Sequence, residues 1–492
     1  MRFKQQILLM VAVFTITISG CKKWDDHIAV DNQDLTRDLY TIIANDPNLS
    51  KFGELISKAG LDTLLKSSKT YTIWAPSNDA LALLDPSLPS DIPRLRAFLL
   101  NHISNQLYFT KDAQSSKRIG MLSGKYNNFL GNKFEEATLI SADKFVKNGV
   151  IHIIDKNIII LPNLWDYVNA TTAQYIQNSF VAGLNFNSFD PSMAIIDSIS
   201  SSTGLPVYKP GTGIVVKNTF NEKVFDLRRE EKQYTYFIMA NAGFTLKADS
   251  LKPYFASTSL AITDSLDKWN IVKDLVIDTL YPAITSLPAS FLSKFGITVP
   301  VNKSLVIETK KLSNGVAYVL SLVDVYTKNK FQQKIIEGEF PTGFFSDKTA
   351  NTNYRVRPNP ATNQNYTDIL VSGHGVTGYY SYYQLKEMPS MVYNVYALAV
   401  NDFQATNVFQ SIGVRYFTAP ATYTTLITNP VALNHSVPLK TAIGAYNEVF
   451  LGTFTSTSFG TLELRLTSGG TTLGSAGTAP IVLDYLRIVP VP

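Results

Sequence analysis

Residues 71–81 read Tyr71-Thr72-Ile73-Trp74-Ala75-Pro76-Ser77-Asn78-Asp79-Ala80-Leu81, a strand that runs into a turn and a helix start. The opening run is β-branched and aromatic, as strands prefer. Pro76 suits the turn, and Ser77 or Asn78 can accept from the orphan amides of the following helix. Further on, Asn148-Gly149-Val150-Ile151-His152-Ile153-Ile154-Asp155 reads as a turn followed by a buried strand. Tyr234-Thr235-Tyr236-Phe237-Ile238-Met239-Ala240-Asn241-Ala242-Gly243-Phe244 repeats the first pattern, and Asn314-Gly315-Val316-Ala317-Tyr318-Val319-Leu320 the second. Tyr71 precedes Asn148 by 77 residues and Tyr234 precedes Asn314 by 80. Two motifs recurring in order and at matched spacing mark a tandem duplication.

The first copy resembles the fasciclin domain. Residues 72–80 match that family's Thr-hydrophobic-Ala-Pro-x-Asn-x-Ala element, and residues 148–155 its Asn-Gly-Val-hydrophobic-His-hydrophobic-hydrophobic-Asp element. Leu99-Leu100-Asn101-His102-Ile103 matches the hydrophobic-x-His element between them. Upstream, Leu39-Tyr40-Thr41-Ile42-Ile43, then residues 46–52 and 55–61, look like the family's opening helices, with apolar residues at three- and four-residue spacing. The second copy departs from the pattern: Ile238-Met239 replaces Ala-Pro, Asp274 stands for the motif histidine, and Tyr318 for His152. It reads as a degenerate copy that keeps the architecture, with the Gly- and Pro-rich stretch 208–215 as a surface-loop insertion. The resemblance implies that His102 and His152 satisfy buried hydrogen bonds rather than ligate a metal. His27, His374 and His435 show no ligand spacing, so neither metal nor cofactor is expected.

At the amino terminus, Arg2 and Lys4 precede an apolar run of twelve residues, Ile7 to Ile18. That is too short to span about 30 Å of hydrocarbon and reads as a signal peptide. Ile18-Ser19-Gly20-Cys21 resembles a bacterial lipobox, which implies cleavage before Cys21 and lipid on its thiol. At about 0.8 kcal/mol per buried CH₂, two or three acyl chains hold a protein on a membrane. Lys22, Lys23, Asp25 and Asp26 follow, and acidic residues just after the cysteine resemble the surface-export signal of Bacteroidetes-type lipoproteins. The expected location is the outer membrane, lipid-anchored and facing the exterior.

Hydrophobic residues make up 45% of the chain, enough to build cores, while charged residues are only 17%. The net charge is +5, or +3 once Arg2 and Lys4 are removed, too balanced to indicate nucleic acid. The single cysteine excludes an intrachain disulfide and a cysteine zinc cluster. Beyond Gly338 the composition shifts to Thr, Ser, Gly, Tyr and Asn, and short alternating runs such as residues 392–400 and 461–466 recur at sandwich spacing. The closing run 481–490 resembles the last strand of jelly-roll, galactose-binding-like modules. The expected fold is multidomain: signal peptide 1–20, lipidated tether 21–33, two α+β fasciclin domains at 34–162 and 172–330, and an all-β, jelly-roll-like sandwich at 336–492.

Gly378-Tyr379-Tyr380-Ser381-Tyr382-Tyr383 is the candidate ligand-binding cluster. On a strand Tyr380 and Tyr382 share one face and Tyr379 and Tyr383 the other, so one pair must face the core. Tyrosine is equally enriched at protein contact surfaces. Five Asp-Ser/Thr-apolar triplets, at Thr63, Ser198, Ser250, Ser265 and Thr279, resemble the O-glycosylation signal of exported Bacteroidetes proteins. No Gly-x-Ser-x-Gly elbow, His-Glu-x-x-His or phosphate-binding loop is present, and both recognised architectures usually bind rather than catalyse. The expected function is that of a non-catalytic surface lipoprotein, accessory to an outer-membrane nutrient importer of the TonB-dependent SusC/SusD type, with a polysaccharide as a further ligand. A cell-surface adhesion protein and a hydrolase with an unrecognised site are the alternatives.

Overall fold

The computed structural model describes residues 33–325, 330–359, 362–404, 407–419, 422–424, 433–437, 446–469 and 479–491, which form two compact units. The first takes the chain up to Leu164 together with Arg228–Gln233 and Leu312–Asn314. Its sheet has seven strands: β1 (Tyr71–Pro76), β2 (Ile103–Ser104), β3 (Lys117–Gly120), β4 (Tyr126–Leu130), β5 (Lys133–Phe134), β6 (Ala137–Val146) and β7 (Gly149–Ile154), in the order β2-β1-β7-β6-β5-β4-β3. Strands β1 and β7 run parallel, with Tyr71 opposite Gly149 and Trp74 opposite His152. Both are buried along their whole length, which is why they read as continuous apolar runs rather than alternations. Gly149 is required there, because a Cβ would collide with the Tyr71 carbonyl oxygen.

The two faces of β1 feed two cores. Ile73 and Ala75 pack with Leu39, Ile43, Phe52, Leu65, Leu81 and Leu99 from five helices, α1 (Leu39–Asn45), α2 (Ser50–Lys58), α3 (Asp62–Lys66), α4 (Asn78–Leu81) and α5 (Ile92–Leu100). Trp74 points the other way, into a core with Phe129, Phe134 and Ile154, where its ring stacks on Phe134 at 4.2 Å. Of the two candidate caps for α4, Ser77 serves, accepting from the Ala80 N–H at 3.2 Å. Asn78 instead ties α2 down, accepting from the Lys51 N–H and donating to the Pro47 carbonyl.

The second unit holds most of the second copy, save Leu164, Arg228–Gln233 and Leu312–Asn314, and the carboxy-terminal sandwich. Helix α6 (Leu164–Ala170) starts with the Leu164 N–H bonded to Asn314 Oδ1 at 2.8 Å, as α1 starts with the Leu39 N–H bonded to Asn148 Oδ1 at 2.8 Å. The second copy therefore begins at Leu164 rather than at 172. After α7 (Ile176–Gly183) come β8 (Asn185–Phe189), paired to β11 (Ile214–Asn218), and β9 (Ile196–Ile199), paired to β10 (Pro206–Tyr208). The expected loop 208–215 is thus one corner of a larger insertion of two β-ribbons. Next in the chain come helices α8 (Thr219–Lys223), α9 (Asn241–Leu251) and α10 (Leu260–Val272), with β12 (Tyr234–Met239) between the first two, then β13 (Val276–Ile277), the hairpin β14 (Ser290–Leu292) and β15 (Thr298–Pro300), β16 (Val306–Leu312) and β17 (Gly315–Leu320). The order β13-β12-β17-β16 and the register of Tyr234 opposite Gly315 repeat β2-β1-β7-β6 of the first copy. Beyond 334 the described strands pair only antiparallel, in sheets of four, six and three strands. The expected succession of two α+β domains and an all-β sandwich is the observed fold.

Candidate functional site

Both motif histidines are structural. His102 is fully buried; its Nδ1 donates to the Phe98 carbonyl at 2.8 Å and its Nε2 accepts from the Ile158 N–H at 3.2 Å. Burial pulls its pKa down to about 4, so the ring is neutral at pH 7. His152 donates from Nε2 to the Tyr108 carbonyl at 3.0 Å and accepts at Nδ1 from the Asp143 N–H at 3.2 Å. In the second copy Tyr318 does the work of His152, its hydroxyl donating to the Tyr281 carbonyl at 2.7 Å. Thr72 and Thr235 match as closely. Each hydroxyl donates to a carbonyl (Gln106, Thr279) at 2.7 Å and accepts from an N–H (Tyr108, Tyr281) at 2.9 Å. One expected equivalence is off by one residue. The Trp74 N–H bonds the His102 carbonyl and the Phe237 N–H bonds the Leu275 carbonyl, so Leu275 replaces His102. Asp274 is the counterpart of Asn101: each accepts from a serine hydroxyl, Ser293 at 2.7 Å and Ser123 at 2.9 Å.

Cys21, Lys22, Lys23, Asp25 and Asp26 lie outside the described residues. Among the described residues no helix is long and apolar enough to cross a membrane, and no group of acidic, His and Cys side chains is placed to hold a metal.

The tyrosine cluster divides as strand parity requires. Tyr379 and Tyr383 are fully buried, and the Tyr383 hydroxyl donates to the Gly338 carbonyl at 2.8 Å, so these two are packing residues and not ligand contacts. His374 stacks on Tyr379 at 4.6 Å and is itself buried. Tyr380 and Tyr382 occupy the opposite face and are half-buried. The Arg465 guanidinium lies 4.3 Å from the Tyr380 ring centroid, and Phe345 packs at 5.2 Å. A partner therefore already covers one face of Tyr380. Cross-strand register sets Tyr382 opposite Arg465 and Gln384 opposite Glu463, whose carboxylate accepts from Arg465 Nε at 2.6 Å. The row presents hydroxyls, an amide and a guanidinium around partly covered rings. That suits hydrogen bonding to a polar ligand better than flat stacking.

A second surface was not singled out in the sequence. On the insertion 185–218, Met193, Ile196, Ile199, Leu205, Ile214 and Val216 are each 54–66% exposed. Its charged residues are Asp190, Asp197, Lys209 and Lys217, a net charge of zero. Phe189 against Tyr208, at 5.1 Å, packs the ribbons together, and Gly213, at φ +72°, makes the bend whose carbonyl accepts from the Asp190 N–H at 2.8 Å. Each ribbon has only two strands, so each strand keeps one edge without a described partner. The signal that could have found it is apolar residues on both parities of short strands with too few neighbours to bury them. The five candidate O-glycosylation hydroxyls, Thr63, Ser198, Ser250, Ser265 and Thr279, all sit at exposed positions, Ser198 on this insertion.

A profile of the fasciclin domain matches residues 47–160. Protein sll1483 of Synechocystis is 31% identical over 147 residues, covering 27% of this chain and 80% of that protein. Stabilin-1 of Homo sapiens is 26% identical over 217 residues, which is 39% of this chain but 8% of Stabilin-1. Among solved structures, a FAS1 domain pair from the insect cell adhesion molecule fasciclin I covers 57% of this chain and 98% of its own, with 16% identity and a TM-score of 0.23. A family 35 carbohydrate-binding module from Clostridium thermocellum covers 32% of this chain and 99% of its own, with 16% identity and a TM-score of 0.22. Scores that low say nothing of function. The duplicated motifs, their shared register and the relative matched over four fifths of its length agree, and the chain belongs to the fasciclin-domain family.

Proposed function

We propose that this chain is a non-catalytic surface lipoprotein, anchored through Cys21 with Lys22, Lys23, Asp25 and Asp26 as its export signal, and that it serves as an accessory subunit of an outer-membrane importer of the SusC/SusD type. The observation that carries the reading is the apolar insertion 185–218. Six large side chains at roughly 100 Å² apiece expose about 600 Å² of apolar surface over the two ribbons, a concentration on one short insertion that marks an interaction surface. With no net charge it has nothing to draw it to an anionic lipid surface, while open strand edges can extend a partner's sheet. The occupant that fits is an apolar face of a protein held in the same membrane. A polysaccharide ligand is the second reading, favoured by the row of Tyr380, Tyr382 and Gln384 beside Arg465. The reading also takes the five exposed hydroxyls as O-glycan acceptors, although a glycan on Ser198 would stand on the insertion and limit what docks there.

The test is purification of the full chain from detergent-solubilised outer membranes, with partners identified by mass spectrometry. The native chain should bring down importer subunits, and an Ile196→Asp, Val216→Asp variant should lose them while staying membrane-bound and melting normally. Cys21→Ser should move the chain to the soluble fraction. Importer subunits retained by the double variant, or missing from the native preparation, would overturn the assignment. Partners found only on other cells would favour adhesion.

A further inference from the structure

Within the second unit a cleft of about 620 Å³ opens between α10 and the sandwich strands near 334 and 388, mid-range for small-molecule sites of roughly 300–1,000 Å³. Lys223, Trp269, Lys273, Lys330 and Lys334 line it, and Glu387 is the only carboxylate among its described lining residues. Lys330 is accounted for: it is buried, bonded from Nζ to the buried Asp274 carboxylate at 2.5 Å and to the Asn270 carbonyl. That leaves Lys223, Lys273 and Lys334 against Glu387, an excess of two positive charges. The Lys273 ammonium makes no hydrogen bond among the described residues and lies 5.2 Å from the Phe295 ring centroid. Among the described residues Lys334 donates only to the Lys386 carbonyl, at 3.0 Å. Burial lowers the pKa of both lysines. Glu387 faces both ammonium groups and Asp274 also faces Lys273, but neither lysine forms an ion pair with them among the described residues, and an anion entering the cleft offsets the remaining desolvation cost. Beside them Trp269 is half-buried in the wall.

From the charge excess, the cleft volume and the indole, we propose that the cleft binds an acidic sugar, with its carboxylate on Lys273 and Lys334 and its ring against Trp269. The site shares no residue with the insertion 185–218, so it stands or falls separately from the importer reading. The experiment is titration calorimetry of the full chain with trigalacturonate, galactotriose and sodium sulfate. Trigalacturonate should bind about tenfold or more tighter than either of the others, as charge-assisted hydrogen bonds to two lysines require. A Lys273→Met, Lys334→Met variant keeps the apolar stems and should lose about tenfold in affinity. Trp269→Ala should weaken the acidic trimer as well, and its melting curve shows whether the fold is kept. Equal binding of the neutral trimer, sulfate binding as tight as the acidic trimer, unchanged affinity in the folded lysine variant, or no heat with trigalacturonate at millimolar concentration would each overturn the proposal.

Discussion

Asp267, on α10, has a fully buried carboxylate, and neither oxygen makes a hydrogen bond of normal geometry among the described residues. Burial pushes its pKa up to about 6, the Lys268 amide offsetting part of the rise. A carboxyl raised in the fold above its ordinary 3.8 favours the neutral form. Its stabilisation is full below about 3.8 and is lost as pH rises through about 6. Asp267→Asn mimics the neutral acid, so it should stabilise the second unit at pH 8 by up to about 3 kcal/mol, seen as a higher melting temperature, and leave it unchanged at pH 4. An equal gain at both pH values, read by calorimetry, would show that charge is not the cause. At this scale the sequence was legible where a motif names the residue. His102 and His152 hold the buried backbone hydrogen bonds that the resemblance implied, and of the two offered caps Ser77 serves and Asn78 does not. It misled at Asp274, because matching by residue type aligned a polar side chain with His102, whereas the backbone register aligns Leu275. A one-residue slip exchanges the two faces of a strand, and only the hydrogen-bond ladder reveals it.

Strand β1 serves two cores at once, and Trp74 is its whole contribution to the second. Its ring stacks on Phe134 at 4.2 Å, meets Phe129 edge-on at 5.6 Å and stacks on His152 at 5.5 Å, yet its indole N–H has no hydrogen-bond partner among the described residues. Phe237 holds the same place in β12, stacked on Phe291 at 4.8 Å. Trp74→Ala should cost about 3–5 kcal/mol, enough to abolish the first unit's cooperative transition while the second unit melts as before. Trp74→Phe should cost much less, since it removes an unsatisfied donor and adopts the side chain of the second copy. Thermal denaturation followed by near-ultraviolet circular dichroism separates these outcomes, and comparable losses for Ala and Phe would refute the shared-core account. Elements with a core on both sides were legible because burial leaves a continuous apolar run. The ribbons β8–β11 and β9–β10 were not, because reading apolar residues as buried fails where a short insertion has nothing to bury them against.

Taken as a whole, the molecule carries titratable groups of opposite sense in its two units. In the first, burial pulls His102 down to about 4 and lowers His152 as well. Both rings fold neutral, so their stabilisation is full above the ordinary 6.5 and is lost as pH falls toward about 4, because the unfolded state then binds more protons. In the second unit, burial pushes Asp267 up to about 6 and Asp484 up to about 7, with Glu337 adding to the latter. Their stabilisation moves the other way, growing as pH falls through 7 and 6. Calorimetry of the full chain at pH 7.5 and pH 5 should therefore show one transition moving down, from the first unit, and one moving up, from the second. Each raised or lowered group contributes about 1.4 kcal/mol per pH unit while it titrates differentially, which amounts to several degrees in melting temperature. Two substitutions assign the slopes. His102→Leu, which installs the residue the second copy carries there, should flatten the first, and Asp267→Asn should flatten the second. Both transitions moving together, or slopes indifferent to these changes, would mean that exposed carboxylates rather than these buried groups govern the response to acid.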